Sequence, residues 1–323
     1  MGFLEFISQF TDFFNMIIAF FILLMVGFLA GKVKIIDSAA SKRLSALIIK
    51  IGQPALIVNS LIKMEYSAKN LTLGLETLAF GFAVHIFMAA LAFVAFLKIK
   101  NVDHRKLTEF ATIFGNVGFL GMPILNSLFG AEGEFMGAFF IVSFNVFLWT
   151  WGIMILARGR KDIKLTPKKL LNFGTVPCLI GFILYVCCRP FFQFPTFVLK
   201  SLDFTASICT PISMFIIGAL LATCSMKRIF GTGKIYLLCA VRLLALPLII
   251  CVILKLIGLD SRWILFSAAV TSMPSATTVT MLSELYDIDP QYSALAVGST
   301  SLFSVVTMPC VMFIAQWILS WNF

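Results

Sequence analysis

The 323-residue sequence is poor in charge. Only 12% of its residues are Asp, Glu, Lys or Arg, against about 25% in soluble domains. Hydrophobic residues make up 60% instead, more apolar surface than a soluble fold could bury. Apolar segments of about 20 residues, enough to cross a bilayer, recur from Phe13 onward with little between them. The composition therefore predicts one membrane domain without a soluble appendage.

Several motifs are missing, and each absence narrows the function. No Walker A motif (GxxxxGK[ST]) occurs, which excludes ATP hydrolysis of that type. Neither HExxH, GxSxG nor a pair of aspartates lies at membrane depth, so an intramembrane enzyme is only a remote alternative. The eight cysteines lie in the second half without a CxxC pair, and we interpret them as packed thiols. We expect no catalytic residues, no metal and no cofactor.

Basic residues outnumber acidic ones by 25 to 15. They lie in short loops and form no continuous basic stripe, which argues against nucleic-acid binding. The first apolar segment follows Glu5 and Asp12 without a preceding Lys or Arg, the wrong flank for a signal peptide. We therefore predict that this segment is retained as a membrane span.

The apolar pattern predicts ten membrane-spanning helices. The predicted spans are Phe13–Val33, Ser41–Ile62, Thr72–Leu97, Leu107–Phe129, Glu134–Ala157, Leu170–Phe191, Phe197–Cys224, Lys234–Ile257, Trp263–Tyr286 and Tyr292–Leu319. Positive residues collect on the cytoplasmic side of membrane proteins. With the amino terminus outside, 17 Lys and Arg fall on the cytoplasmic side and 6 on the other. We predict that both termini are non-cytoplasmic.

An internal repeat divides the ten spans into two halves. We predict a first five-helix repeat over 1–157, a cytoplasmic linker over 158–169 and a second repeat over 170–323. Three matches share an offset of 157 residues, namely Pro54 with Pro211, Gly133 with Pro290, and His85 with Arg242. Because five is odd, the repeats are inverted relative to each other, as in many secondary transporters.

Two equivalent spans are predicted to break near mid-membrane. The fourth carries Gly115–Pro123 (GNVGFLGMP) and the ninth carries Thr271–Thr278 (TSMPSATT). Proline removes a backbone donor and glycine adds freedom, so these segments should interrupt their helices. Freed backbone at that depth is tolerated only in protein or beside a watery cavity. Broken helices at equivalent positions are therefore the best indication of a transporter's site.

The first amides after each break would lack intrahelical partners, and the helix dipole adds positive charge there. Two such ends at one crossing would suit a carboxylate. The candidate substrate-binding residues are Asn116, Val117, Gly118, Gly121, Pro123, Met273, Pro274, Ser275, Ala276 and Thr277. We expect Pro123 in the first turn of one half-helix and Ser275 as the cap of the other. The alternative is that Asn116 and Ser275 merely satisfy broken backbone.

Three ionisable residues inside spans are candidates for coupling or charge compensation. Arg242 could be a counter-ion for substrate, but we favour a structural role with Glu109 or backbone carbonyls as its partner. His85 could exchange a proton near neutral pH, although a lone histidine in an apolar span is more often a packing residue. Glu76, near a span end, is a second candidate for a proton and could equally lie exposed at the interface.

The broken segments resemble the auxin efflux carrier family, which includes plant PIN carriers and bacterial permeases for malate and malonate. The PIN-like pattern NxxxxGxP is present as Asn116, Gly121 and Pro123. The second half resembles the family through Val241-Arg242-Leu243 before Pro247, Met273-Pro274, and Leu285–Pro290 leading to Thr307-Met308-Pro309. Gly115 replaces a proline common in plant carriers, and their long central loop is absent. The chain is thus most similar to bacterial members.

This resemblance implies an all-α, bile-acid-transporter-like fold in which broken helices four and nine cross. It implies a mobile unit of spans three to five and eight to ten, a scaffold of the other spans, and elevator movement. The expected substrate is a mono- or dicarboxylate such as malate, or an auxin-like acid, carried across the bacterial inner membrane, with proton coupling and a homodimer as further expectations. The alternative is a sodium-coupled carrier of the bile-acid type, with Thr277 or Thr278 as sodium ligands.

Overall fold

The computed structural model describes residues 3–160, 174–223 and 233–321, and every regular element in these ranges is a helix. The α-helices are α1 Phe3–Lys32, α2 Ser38–Leu47, α3 Gln53–Lys63, α4 Ala68–Ala95, α5 Val102–Ile113, α6 Met122–Phe147, α7 Ile153–Ala157, α8 Thr175–Ile183, α9 Thr196–Ser207, α10 Cys209–Thr223, α11 Gly233–Ala240, α12 Leu246–Leu256, α13 Ser261–Ser272, α14 Thr278–Leu285 and α15 Pro290–Leu319. Short π-helical segments continue several of them, at Ile48–Gly52, Val117–Gly121, Leu148–Gly152, Leu184–Cys188 and Val241–Ala245. Helices suit a bilayer because they satisfy their backbone groups internally.

Seven segments of the described chain are long and apolar enough to cross a membrane. They are Phe14–Lys32, Ser38–Lys63, Ala68–Ala95, Val117–Ala157, Thr196–Thr223, Gly233–Leu256 and Pro290–Leu319. The helical membrane fold is thus confirmed, whereas the count of ten spans stays a prediction. The difference arises because predicted spans four and five share one long apolar stretch, the ninth is divided between α13 and α14, and the sixth begins outside the described residues.

The chain reverses direction within the long stretch Val117–Ala157. Gly130 has φ 62° and ψ −148°, a backbone conformation that interrupts α6. A Cβ built on Gly133 would lie 2.2 Å from the carbonyl oxygen of Leu125. Residues eight apart in a straight helix are separated by about 12 Å, so the two parts of α6 must fold back on each other. This turn lies where the sequence predicts the connection between spans four and five.

Helices α1 and α10 pack closely together, and glycines on both helices allow this close approach. A Cβ on Gly27 would lie 2.4 Å from the carbonyl oxygen of Phe215, and one on Gly218 would lie 2.1 Å from that of Leu24. Small residues let helix backbones approach closely, a common way to pack membrane helices. The two helices therefore touch backbone to backbone.

The interpretation of the cysteines as packed thiols is confirmed only in part. Four of them, Cys178, Cys209, Cys239 and Cys251, are buried. Cys187 and Cys310 are exposed, so the interpretation is wrong for these two, which lie on outward faces of their helices. Cys224 and most of the predicted linker over 158–169 lie outside the described residues.

We expect Gly218→Val to destabilise the protein, because the new side chain would clash with the backbone of α1. Overpacking of this kind costs about 1–3 kcal/mol. Thermal unfolding in detergent should therefore occur at a lower temperature than in the wild type. The matched control is Gly233→Val, since a Cβ there meets nothing within 4 Å. Equal unfolding temperatures for the two variants would contradict the close contact of α1 and α10.

Candidate functional site

The two predicted breaks are present, and they contact each other. α5 ends at Ile113 and helical structure resumes at Val117, while α13 ends at Ser272 and α14 begins at Thr278. Between these ends the two extended segments form an isolated antiparallel bridge that pairs Gly115 with Ser275. Four helix ends therefore meet at one point, which we call the crossing (residues 114–117 and 273–277).

Two backbone hydrogen bonds close the crossing. The amide of Asn116 donates to the carbonyl oxygen of Pro274 at 2.8 Å, and the amide of Ala276 donates to that of Phe114 at 2.9 Å. Buried backbone groups must be paired, and here each broken helix satisfies the other. Pro274 leaves its own carbonyl available without adding a further donor. The geometry thus explains why both helices can break in the protein interior.

The side chain of Asn116 is buried, and its amide nitrogen is unpaired among the described residues. Its relative exposure is 2%, and its amide nitrogen Nδ2 has no hydrogen-bond partner within the described part of the chain. Asn116 precedes the π-helical segment as its N-cap residue, yet its side chain makes no capping bond. Its backbone carbonyl instead accepts from the amides of Leu120 at 3.2 Å and Gly121 at 3.0 Å. Nδ2 therefore gives no support to the alternative that the side chain satisfies broken backbone, and a substrate-binding role for Asn116 stays a prediction.

The side chain of Ser275, unlike that of Asn116, bonds to the broken backbone. Its hydroxyl donates to the carbonyl oxygen of Ala111 at 2.8 Å, and its amide donates to Oγ1 of Thr300 at 3.2 Å. The prediction that Ser275 caps α14 is wrong. The N-cap residue is Thr277, and its side chain makes no capping hydrogen bond. The hydroxyl is directed to α5 because the antiparallel bridge brings Ser275 beside that helix. Ser275 thus joins the two broken helices.

Arg242 lies next to the crossing and is 1% exposed. Its Nε donates to the carbonyl oxygen of Met273 at 3.1 Å, and its Nη1 donates to that of Thr112 at 2.8 Å. Backbone carbonyls are therefore its partners, and the alternative of Glu109 is wrong. Glu109 instead accepts from Nε of Arg105 at 2.8 Å and from Nη1 of Arg158.

The remaining candidates at the breaks divide into packed and accessible residues. A Cβ on Gly121 would lie 2.6 Å from Sδ of Met273, so this glycine lets one break pack against the other. Gly118 is partly exposed, and the nearest atom to a Cβ there is Nε2 of Gln53 at 3.7 Å. Pro123 lies in the first turn of α6, as predicted. The buried candidates are Val117, Gly121, Met273, Pro274, Ser275, Ala276 and Thr277.

The structure does not bring all candidate ionisable residues to the crossing. Glu76 is exposed on α4. His85 is buried, its Nδ1 lies 2.6 Å from the carbonyl oxygen of Gly81, and its ring packs among phenylalanines. These rings are Phe114, Phe140, Phe144 and Phe147. This environment is that of a packing residue, so a role for either residue in proton coupling stays a prediction.

A cavity of about 580 Å³ lies between α2, α10 and α14. Its polar wall includes Ser41, Ser45, Gln53, Asn145 and Thr278. Lys42 and Glu284 line it as well, with Nζ and Oε2 3.7 Å apart. Gln53 also neighbours Gly118, which follows the crossing in sequence. Sequence reasoning passed over Gln53 and Asn145 as site residues, although a polar residue inside an apolar span is itself a signal of function.

Comparison with known proteins agrees with the resemblance seen in the sequence. A family model described as membrane transport protein matches residues 12–312. An uncharacterized transporter of Methanocaldococcus jannaschii is 28% identical over 307 residues, which cover 91% of this chain and 96% of that protein. A candidate malonate transporter of Rhizobium meliloti is 21% identical over 308 residues, covering 94% and 95% respectively.

These matches extend over nearly the whole chain, and both relatives carry the name of a transporter. The helical fold and its seven apolar segments are those of a multi-pass membrane protein. The chain belongs to the membrane transport protein family, that is, to the auxin efflux carriers and their microbial relatives.

Proposed function

We propose that the protein is a secondary carrier that moves a small organic anion, a mono- or dicarboxylate such as malonate, malate or an auxin-like acid, across the membrane. One observation carries this proposal: at the crossing of two broken helices, the buried amide nitrogen Nδ2 of Asn116 has no partner in the part of the chain that the structure describes. An unmade hydrogen bond of a buried polar group costs about 1–3 kcal/mol. Such a cost is typical of a group that is kept for a ligand.

The polarity of the helix ends favours an anion. Helical structure resumes after the breaks at Val117 and Thr278, and the first amides of a helix lack intrahelical acceptors. Each such end carries about half a positive charge. A carboxylate beside Asn116 would accept a hydrogen bond from the side-chain amide and would lie near the positive ends of both half-helices.

The arrangement of the halves supports an inverted repeat of five spans each. The breaks follow Ile113 and Ser272, an offset of 159 residues that is close to the 157 of the three sequence matches, and their segments pair antiparallel. We therefore assign ten spans to the chain, with a turn at Gly130 between the fourth and fifth. The domain boundaries at 157 and 170 follow from the same offset.

The cavity suggests how substrate reaches the crossing. It lies between α2 and α10, which we assign to a scaffold, and α14, which we assign to a mobile unit. Lys42 and Glu284, which line it, lie beside loops that the charge distribution predicts to be cytoplasmic. An elevator movement of the mobile unit would carry the crossing to the other side. We place the protein in the plasma membrane, the inner membrane of a bacterium, with both termini non-cytoplasmic, and we expect no enzymatic activity.

We expect Asn116→Ala to lower uptake of the transported acid into proteoliposomes at least tenfold, since a hydrogen bond to a charged group contributes about 1.5–3 kcal/mol. The unliganded variant should unfold at the wild-type temperature, because Nδ2 of the lost amide has no hydrogen-bond partner among the described residues. Labelled malonate is the first probe, followed by other carboxylates. The matched control is Asn126→Ala, which removes an exposed amide bonded to Glu134 further along α6. Uptake that is indifferent to Asn116→Ala would contradict the proposed site.

We expect the same uptake to persist when choline replaces sodium. A coupled sodium ion would need unoccupied oxygen ligands at the breaks. The carbonyls of Thr112 and Met273 already accept from Arg242, and that of Thr277 accepts from the amide of Thr280 at 3.1 Å. Strict dependence of uptake on sodium would contradict this expectation and favour a carrier of the bile-acid type.

A further inference from the structure

Arg242 carries a buried charge without a carboxylate partner among the described residues. It lies in the π-helical segment Val241–Ala245, and besides the two carbonyls only the sulfur of Met88 approaches its Nη1, at 4.0 Å. A buried ionised group is costly unless it is compensated. The compensation must therefore come from the two carbonyls and from the helices to which they belong.

Both carbonyls mark the carboxyl end of a broken helix. Thr112 lies in the last turn of α5, and Met273 is the C-cap residue of α13. A helix carries about half a negative charge at this end. The guanidinium thus bridges the negative ends of two helices, one from each half of the chain.

Without Arg242, the partial charges of the four helix ends at the crossing would nearly cancel one another. Two amino-terminal ends contribute about half a positive charge each, and two carboxyl ends contribute the opposite. Because Arg242 neutralises the carboxyl ends, the crossing retains a net charge of about +1 by the same arithmetic. The dipole of a helix start alone would not produce this excess.

Gly115 brings the guanidinium against the break. A Cβ at this position would lie 1.9 Å from Nη2 of Arg242. The charge therefore lies beside the residue that precedes Asn116, and only glycine leaves it that space.

We infer that Arg242 is the positioning residue that makes the crossing selective for anions, and that its single charge favours a singly charged carboxylate. Arg242 acts through the helix ends that it neutralises, while the side-chain amide of Asn116 contacts the ligand between the starts of the two half-helices. A ligand of one negative charge leaves the occupied crossing neutral, which is the least costly state to hold in a low-dielectric interior. This inference rests on the proposed function, because it assigns the substrate class of the same site.

The test measures binding of three probes of nearly equal shape to the purified protein. Malonate carries two carboxylates, malonamate carries one and malonamide carries none. We expect the wild type to bind malonamate at least as tightly as malonate and to bind malonamide weakest. In Arg242→Gln the preference for malonamate over malonamide should fall about tenfold or more, the effect of one unit charge at close range.

Two further variants separate the effect of the charge of Arg242 from the effect of its shape. Arg242→Lys keeps the charge and should keep most of the preference for malonamate over malonamide. If the role of Arg242 were purely structural, this preference would fall equally in Arg242→Lys and Arg242→Gln. Lys50→Gln removes a positive charge from an exposed position inside a span and should leave the preference unchanged. Thermal unfolding without ligand reports whether each variant folds.

Arg242→Gln that folds and keeps the wild-type preference would overturn the inference. If this variant does not fold, the same probes are measured on Gly115→Ala, which displaces Nη2 from the break and should lower the preference. An unchanged preference in Gly115→Ala would then overturn the inference. Failure of the proposed function looks different, because the wild type itself would bind none of the three probes nor any other carboxylate.

Discussion

The structure depends on the pairing of two broken backbones. Asn116 and Ala276 each donate to a carbonyl of the opposite break, at 2.8 and 2.9 Å. Without this exchange, each break would leave unpaired groups in an apolar interior, at several kcal/mol per group in a lipid environment. The close approach of the two breaks also explains why positions 115 and 121 are glycine. A Cβ on Gly115 would meet the side chain of Arg242, and one on Gly121 would meet that of Met273.

The pairing separates the polar groups of the crossing by sign. The carboxyl ends of α5 and α13 are bound by Arg242, and the hydroxyl of Ser275 adds a bond to Ala111. The side-chain nitrogen Nδ2 of Asn116 has no hydrogen-bond partner among the described residues. The carbonyls at the two carboxyl ends are thus satisfied internally while this donor is left for a ligand, which is the pattern expected of an anion site.

Much of this arrangement could be predicted from residue types. Proline and glycine locate both breaks and the turn at Gly130, because they act on their own backbone. The partners of Ser275 and Arg242 could not be predicted in the same way. Each bonds a carbonyl more than a hundred residues away or on another helix, and any residue type offers such a carbonyl. Only the register of the antiparallel bridge determines which one is reached.

The length and apolar composition of the helices do not by themselves determine the count of spans. By these criteria the two helices that fold back at Gly130 form one segment, and the span interrupted between α13 and α14 is missed. The sequence separates the first pair and includes the interrupted span because glycine and proline indicate the turn and the break. The cavity wall was equally hidden, because Gln53, Asn145 and Thr278 come from three separate elements. Single polar residues of this kind acquire meaning only when the helices are placed together.

The most direct test of the central claim is an experimental structure of the protein with a carboxylate bound, for example a brominated organic acid located by its anomalous scattering. The account predicts that the carboxylate lies within hydrogen-bond distance of Nδ2 of Asn116, between the starts of the two half-helices. A carboxylate bound elsewhere, with Asn116 still unpaired at an empty crossing, would contradict it.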